Sequence, residues 1–323
     1  MKEKLPSLSV VIPVYRSAPI LESLVDRLEE SLRALEADFE VILVNDDSPD
    51  ESWSVIESLG RTRPWLVGID LKRNYGQHNA LLCGIRLARH EIVVTMDDDL
   101  QNPPEEIGKL LGALGDDLDV VYGAPDREQH GLFRNLASRI TKVVLQSAMG
   151  AETAGRISAF RAFRTEIREA FGPNHGPFVN IDVLLTWGST RFSSVRVRHD
   201  ARAAGRSNYT LRMLLKHALD MLTGFSVLPL QFASLTGFAF TLMGVLVLIY
   251  VVGRYLIEGT TVAGFPFLAS VIAIFSGAQL FSLGILGEYL ARIHFRTMGR
   301  PPYSIRASVG RGAHPGKPDS DAE

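Results

Sequence analysis

Cysteine is nearly absent from this chain, and neither sign of charge is in large excess. The 323 residues include a single cysteine, Cys83, so no internal disulfide can form and a reducing compartment is compatible with the sequence. The 34 Lys and Arg residues are matched by 36 Asp and Glu residues, which argues against a nucleic-acid partner. Hydrophobic residues make up 46% of the chain, which excludes a disordered protein.

Two signatures of nucleotide-binding proteins are also missing. The first predicted strand runs into Pro13-Val14-Tyr15-Arg16-Ser17-Ala18, which contains no glycine. A dinucleotide-binding fold needs Gly-x-Gly-x-x-Gly at this point, so a dehydrogenase is disfavoured. No Gly-Lys-Ser/Thr sequence occurs either. This absence argues against an ATPase of the P-loop type.

Charge and hydropathy are unevenly distributed along the chain. Residues 1–201 hold 23 basic and 30 acidic side chains, whereas residues 202–323 hold 11 and 6. The basic part is also the apolar part, because residues 221–253 and 259–287 contain no charged side chain. About 20 helical residues cross a hydrocarbon core of about 30 Å. We therefore predict membrane helices at 226–257 and 262–290, joined as a hairpin.

Lys and Arg residues flank the two predicted spans on their outer sides, and by the positive-inside rule both termini are expected to be cytoplasmic. Before the first span, residues 209–225 place leucines at helical spacing, with basic side chains elsewhere on the helix. This pattern indicates an amphipathic helix lying against anionic headgroups, with an ordinary packing helix as the alternative. Residues 291–323 are expected to form a basic cytoplasmic tail with a disordered end.

Residues 1–208 have the pattern of an α/β domain. Short runs rich in Val and Ile are each followed by a helical pattern, which predicts strands buried on both faces of a mostly parallel sheet. A further helix is predicted at 131–149 and a strand at 191–200. The runs that predict the earlier strands are 8–15, 39–45, 65–71, 91–97 and 119–123.

Three consecutive carboxylates, Asp97 to Asp99, follow the fourth of these strands directly. Ligands bind beyond the carboxyl ends of the strands in an open α/β sheet. Asp97 and Asp99 can reach the same side of the loop, and Gln101 adds a neutral oxygen. Mg²⁺ or Mn²⁺ held by one or two carboxylates completes its coordination with phosphate oxygens. The sequence therefore predicts a metal site of Asp97, Asp99 and Gln101, with a solvated acidic turn as the alternative.

Other polar residues are candidates for binding a nucleotide or a phosphate. Asp46 follows the second strand, where its carboxylate can accept hydrogen bonds from a base or ribose, or can cap the next helix. Arg127 and Arg134, with Arg139, form one basic group, and Arg202 and Arg206 form another. The planar guanidinium suits phosphate oxygens, and Arg202 lies just before the predicted interfacial helix. For each arginine an ordinary surface charge is the alternative.

Eight motifs stand out along the chain: Val10-Val11-Ile12-Pro13-Val14-Tyr15, Val44-Asn45-Asp46-Asp47-Ser48-Pro49-Asp50, Asn74-Tyr75-Gly76, Met96-Asp97-Asp98-Asp99-Leu100-Gln101-Asn102-Pro103-Pro104-Glu105, Phe133-Arg134, Phe160-Arg161-Ala162-Phe163-Arg164, Arg202-Ala203-Ala204-Gly205-Arg206-Ser207 and Leu286-Gly287-Glu288-Tyr289. Together they resemble family 2 GT-A glycosyltransferases that act on polyprenyl phosphate. The later motifs are similar to the bacterial undecaprenyl-phosphate subgroup, to which dolichyl-phosphate mannose synthase is more distantly related. Arg16-Ser17 and Asn208 depart from the pattern of the family.

The resemblance implies a GT-A catalytic domain, followed by the interfacial helix and the two-helix membrane hairpin. It implies that Asp46 binds the nucleotide base and that the Asp97, Asp99 and Gln101 group holds Mg²⁺ or Mn²⁺ and the donor diphosphate. Arg134 and Arg202 are implied to contact the acceptor phosphate and to be catalytic together with Asp97 and Asp99. Further substrate contacts are expected from Pro13, Tyr15, Asp98, Arg127, Arg206 and Ser207.

The expected activity is inverting transfer of a sugar from a UDP- or GDP-linked donor to undecaprenyl phosphate in the bacterial inner membrane. A homo-oligomer is compatible with the sequence, which does not indicate the sugar. One alternative is a processive polysaccharide synthase, but no Arg-Trp dipeptide of that group occurs and two spans are too few for a pore. Another is an inactive scaffold or flippase partner, against which the intact acidic residues count.

Overall fold

The computed structural model describes residues 6–125, 156–172, 179–200, 228–259 and 264–310. The chain divides into two compact units. The first comprises Met1–Thr210 together with Met298–Glu323, and the second comprises Leu211–Thr297. The first unit therefore combines the start of the chain with the segment that follows the second apolar helix.

The first unit is built on one eight-stranded sheet. The strands are β1 Leu8–Val14, β2 Phe39–Asn45, β3 Leu66–Leu71, β4 Ile92–Thr95, β5 Val120–Pro125, β6 Arg161–Arg164, β7 Phe192–Val197 and β8 Ile305–Val309. Their order in the sheet is β7-β5-β6-β4-β1-β2-β3-β8. β1 pairs in parallel with β2 and β4, and β2 pairs in parallel with β3. β6 runs antiparallel to β4 and β5, β5 and β7 are parallel, and β8 runs antiparallel to β3. The expected mostly parallel α/β sheet is confirmed.

Helices connect the strands of the first unit and cover the sheet. Two short 3-10 helices, Pro104–Glu106 and Thr165–Phe171, supplement the α-helices. The α-helices are α1 Leu21–Ala34, α2 Ser52–Thr62, α3 Gln77–Leu87, α4 Ile107–Ala113 and α5 Ile181–Gly188. α1 buries Leu21, Leu24, Val25, Leu28 and Leu32, because apolar side chains three and four residues apart share one helix face.

The central strands are buried on both faces, which explains their uninterrupted apolar sequences. Every residue of β1 is buried. Val10, Ile12 and Val14 pack with α1 and α4 in one core, while Val11 faces Gly84 of α3 on the opposite side. The parallel register pairs Val14 with Asn45 and Asn45 with Asp70. The residues that follow β1, β2 and β4 therefore emerge at one edge of the sheet.

The second unit contains two long helices, α6 Leu228–Glu258 and α7 Phe265–Thr297. Both contain stretches long and apolar enough to cross a membrane: Pro229–Ile257 has a mean hydropathy of 2.3, and Ile274–Ala291 has one of 1.2. The two helices pack on one another, with the rings of Phe240 and Phe275 edge to face at 5.8 Å between centroids. Large apolar side chains elsewhere on both helices are exposed, as expected of surfaces that face lipid.

The segment after the second apolar helix differs from the expected basic tail at 291–323. α7 continues to Thr297, and Ile305–Val309 forms the edge strand β8 of the sheet in the first unit. The expected end of the catalytic domain at residue 208 therefore omitted this strand. Five residues interrupted by Arg306 and Ser308 give too weak a local pattern to indicate a strand. The predicted helices at 131–149 and 209–225 lie outside the described residues.

Candidate active site

The acidic loop Asp97–Gln101 follows β4 and is fixed to the neighbouring ends of β1 and α3. Asp97 Oδ1 accepts a hydrogen bond from Gln77 Nε2 at 2.6 Å. Asp99 is buried, and its Oδ1 accepts a hydrogen bond from the backbone N–H of Gln101 at 3.1 Å. Leu100 between them has φ 59, a left-handed conformation rare for leucine. The loop thus holds its carboxylates in a defined turn rather than as a loose acidic segment.

The Asp98 carboxylate is hydrogen-bonded to the residues that follow β1. Its Oδ2 accepts hydrogen bonds from the backbone N–H of Tyr15 at 3.2 Å and from Ser17 Oγ at 2.5 Å. Burial raises the pKa of Asp98, while the bonds from Ser17 and Tyr15 oppose that rise. Asp98 therefore ties the acidic loop to the end of β1. Its predicted contact with substrate stays a prediction.

The donor set of this loop suits a hard divalent cation. Mg²⁺ and Mn²⁺ are bound by one or two carboxylates plus substrate phosphate oxygens, and do not need a cage made only of protein. Asp97 and Asp99 lie two residues apart on this loop and supply two carboxylates, and the Gln101 side chain stays a predicted ligand. Among the described residues no group of three or more His, Cys, Asp or Glu side chains is placed to hold a metal ion. A cation on this loop would therefore depend on oxygens of a bound ligand, such as a diphosphate, to complete its coordination.

Asp46 anchors the next loop along the same edge. Its Oδ1 accepts from the backbone N–H of Tyr75 at 2.7 Å and its Oδ2 from that of Gly76 at 2.8 Å. Gly76 has φ 90, which a residue with a Cβ rarely adopts. Burial raises the pKa of Asp46, and the two backbone hydrogen bonds oppose the rise. The carboxylate expected to bind a nucleotide base thus also shapes the Asn74-Tyr75-Gly76 loop.

Unusual backbone conformations are concentrated at this edge. Four described residues other than glycine have positive φ, and three of them, Arg16, Asp47 and Leu100, lie just beyond β1, β2 and β4. Such conformations cost about 1–3 kcal/mol each and persist where surrounding contacts enforce them. The backbone N–H of Arg16 donates to Ser48 Oγ at 2.7 Å, which joins the loops after β1 and β2. Three of the four strained positions thus lie at the edge where the sequence predicts the site.

A buried ionic network lies behind the acidic loop. Arg161 of β6 is 2% exposed and donates to Asp182 of α5 and, at 2.9 Å, to Thr95 Oγ1 at the end of β4. Tyr122 of β5 donates its hydroxyl to the same Asp182 oxygen at 3.0 Å. Burial raises the pKa of Tyr122 well above its ordinary value, so the hydroxyl stays a donor. The network joins three strands and one helix beneath Asp97.

Of the other predicted site residues, the structure describes only some. Pro13 is buried inside β1, paired with Val44, and Tyr15 is 44% exposed beyond the strand end. The sequence patterns did not single out Ser17 and Gln77, whose side chains bind the acidic loop. Ser17 carried a signal, because it stands where the sequence departs from the family pattern. The predicted residues Arg127, Arg134, Arg202, Arg206 and Ser207 lie outside the described residues.

The topology of the sheet and the acidic loop after β4 identify the fold of the first unit as GT-A. Its polar residues lie at the carboxyl ends of the parallel strands. Residues 9–172 match the family model "Glycosyl transferase family 2". The chain belongs to glycosyltransferase family 2. Its catalytic domain is thus that of a sugar-transferring enzyme, as the sequence motifs indicated.

Relatives and solved structures agree with this assignment. The undecaprenyl-phosphate 4-deoxy-4-formamido-L-arabinose transferase of Yersinia pestis (strain Pestoides F) is 34% identical over 313 residues, which are 96% of each chain. The transferase of that name from Yersinia pseudotuberculosis serotype O:3 matches equally well. A crystal structure of Mycobacterium tuberculosis glucosyl-3-phosphoglycerate synthase with Mn²⁺, uridine diphosphate and phosphoglyceric acid aligns with a TM-score of 0.51 at 18% identity, covering 68% of this chain and 76% of that one.

Proposed function

We propose that the protein transfers a sugar from a nucleotide sugar to the phosphate of a membrane polyprenyl phosphate, forming a lipid-linked sugar. The observation that carries the proposal is the acidic loop Asp97–Gln101, held at the carboxyl edge of a GT-A sheet in a chain with two membrane-length helices. Full-length similarity to transferases named for undecaprenyl phosphate supports the choice of acceptor.

Asp97 and Asp99, with Gln101, would hold a divalent cation against the donor diphosphate. When bound, the cation supplies Lewis-acid stabilisation of the negative charge that develops on the departing nucleotide. The likeness to a structure solved with Mn²⁺ and uridine diphosphate supports a metal of this kind in the proposal. Gln77 and Ser17 position the loop through the Asp97 and Asp98 side chains.

The acceptor needs little activation by a base. A phosphate monoester has its second pKa near about 6, so the acceptor oxygen is largely ionised at neutral pH. Orientation is then the main task of the protein, and it supplies several kcal/mol of a typical barrier reduction. We assign that task to Arg134 and Arg202 on the sequence argument, and a single displacement inverts the anomeric configuration.

The membrane arrangement follows from the same proposal. The two apolar helices anchor the chain in the bacterial inner membrane, with the catalytic domain and both termini in the cytoplasm. A headgroup phosphate then reaches the active site while the polyprenyl chain stays in the bilayer.

A donor panel tests the proposal. Membranes containing the protein, undecaprenyl phosphate and Mn²⁺ or Mg²⁺ are incubated with labelled UDP- and GDP-sugars, including UDP-linked formamido-arabinose. We expect label in an organic-extractable lipid with at least one donor. Asp99→Asn should reduce the rate at least about a hundredfold, because it removes a charge from the cation site. The control is Asp117→Asn, an exposed residue at the opposite end of the sheet. No transfer with any donor would contradict the proposal.

A further inference from the structure

The strand β8 closes the edge of the catalytic sheet beside β3, although it follows the second apolar helix in the chain. Antiparallel pairing runs from Gly68 with Val309 to Leu71 with Ile305. The backbone N–H of Lys72 donates to the carbonyl of Ser304 at 2.8 Å and extends the pairing by one bond. The segment is therefore an integral part of the sheet rather than a loose tail.

Arg306 of β8 reaches across the ends of β2 and β3. Its Nη1 donates to Asp70 Oδ2 at 3.1 Å, and its Nη2 donates to Asp47 Oδ1 and to the Lys72 carbonyl, both at 2.7 Å. Asp70 is 2% exposed, and its Oδ1 accepts from Asn45 Nδ2 at 2.7 Å. One guanidinium thus joins the end of β3 to the turn after β2, and Asp70 links it in turn to Asn45, the last residue of β2.

The turn that Arg306 holds belongs to the proposed donor site. Asp47 has φ 51 and follows Asp46, whose carboxylate fixes the Tyr75 and Gly76 backbone. Ser48, the next residue, accepts the hydrogen bond from Arg16 at the end of β1. Releasing Asp47 would leave a strained turn without the contact that holds it, and that turn connects two loops of the active-site edge.

The carboxylates around Arg306 give a second reason why a cationic side chain is needed at this position. Asp46, Asp47 and Asp70 place three carboxylates close together, at an edge that has to admit an anionic nucleotide. Unneutralised carboxylates would repel the diphosphate, since low-dielectric surroundings strengthen such interactions. Burial of Asp70 makes its need for a cation greater than that of a surface carboxylate.

We propose that Arg306 is a positioning residue of the donor site, supplied by the segment that follows the membrane hairpin. By holding Asp47 and Asp70, it keeps the turn after β2 in the shape that accepts the nucleoside part of the donor. The donor site is therefore complete only when β8 is paired with β3. The inference rests on the proposed function and adds one residue to its donor site.

The test uses the full-length protein purified in detergent, with Arg306→Gln, Arg306→Lys and the control Arg300→Gln. Arg300 is exposed and lies in the same segment, before β8. Two quantities are measured: the Kd of UDP and of GDP in the presence of Mn²⁺, and the KM values for donor and acceptor in the transfer reaction. The Tm of each variant reports whether the domain is folded.

We expect Arg306→Gln to raise the nucleotide Kd and the donor KM about tenfold, with the acceptor KM unchanged. Arg306→Lys should recover part of the loss, because an ammonium supplies the charge but cannot bind two carboxylates and a carbonyl in one plane. Arg300→Gln should match wild type. A nucleotide Kd within twofold of wild type in Arg306→Gln would overturn the inference, as would an equal rise in both KM values or a loss that only follows Tm.

The two proposals fail in different ways. Wild-type protein that binds a nucleoside diphosphate but transfers no sugar to lipid would contradict the proposed function, while the nucleotide Kd of Arg306→Gln would still decide the role of Arg306. Normal transfer with an unaltered Arg306→Gln variant would remove only the role of Arg306. Wild-type protein that binds neither nucleotide would overturn both.

Discussion

Single residues set the geometry of the active-site edge, and Gly76 is the clearest case. Its φ of 90 and ψ of 154 lie in a region that only glycine occupies readily, and its N–H donates to the Asp46 carboxylate. A Cβ at this position would meet no atom within 4 Å, so the constraint comes from the backbone alone. The glycine of the Asn74-Tyr75-Gly76 motif is therefore needed for its conformation rather than for space.

Replacing Gly76 by alanine is expected to cost about 1–3 kcal/mol of stability and to raise the donor KM. Any backbone shift that relieves the strain also moves the N–H away from Asp46. The measurements are the Tm of the purified protein and the donor KM. Gly112→Ala is the matched control, since Gly112 lies in α4 with open space around it, and alanine in a helix is neutral or stabilising. A Gly76→Ala variant with wild-type Tm and donor KM would contradict this account.

Only some residues of the active-site edge could be predicted from the sequence. Asp97, Asp99 and Asp46 could be singled out because each directly follows an apolar strand, and the topology of an α/β sheet places strand ends together. Gln77 and Ser17 could not be assigned a role, because the Asp residues that they bind are 20 and 81 positions away. Local patterns carry no information about such pairings.

At the scale of elements, the ionic network of Arg161 links β4, β5, β6 and α5. The motif around Phe160-Arg161 resembles the pattern of the family, but nothing in the sequence indicates that Arg161 is buried. Its partner Asp182 lies on a helix 21 residues further on, and Thr95 is 66 residues earlier. A buried charge of this kind persists only with a paired and hydrogen-bonded partner.

Arg161→Met should destabilise the catalytic domain by about 3–5 kcal/mol, because Asp182 is left as an unpaired buried charge. The double variant Arg161→Met with Asp182→Asn should recover much of the lost stability. The amide oxygen still accepts a hydrogen bond from Tyr122, and no unpaired charge is left in the core. The measurement is Tm, for which a fall of roughly 10 °C is expected in the single variant.

Two results would contradict the interpretation of this network. A double variant no more stable than Arg161→Met would show that charge pairing is not what Arg161 contributes. A single variant with the Tm of wild type would show that Asp182 does not depend on the arginine.

At the scale of the whole molecule, the apolar runs predicted the number of membrane-length helices, and continuous buried runs predicted the sheet. The prediction that the chain after α7 is only a tail was wrong for Ile305–Val309. An edge strand needs one neighbour and little burial, so its sequence resembles a loop. Its assignment depends on β3, more than 200 positions earlier, and a pattern within five residues cannot show that.

Purified, metal-stripped protein titrated with UDP and with GDP, with and without Mn²⁺, gives the most direct test of whether a cation on the acidic loop bridges protein and donor diphosphate. We expect Mn²⁺ to lower the Kd of the nucleotide used by the enzyme at least about tenfold in wild type and in Asp117→Asn. We expect no such decrease in Kd in Asp97→Asn or Asp99→Asn. Nucleotide that binds wild type equally tightly in excess chelator would contradict this expectation.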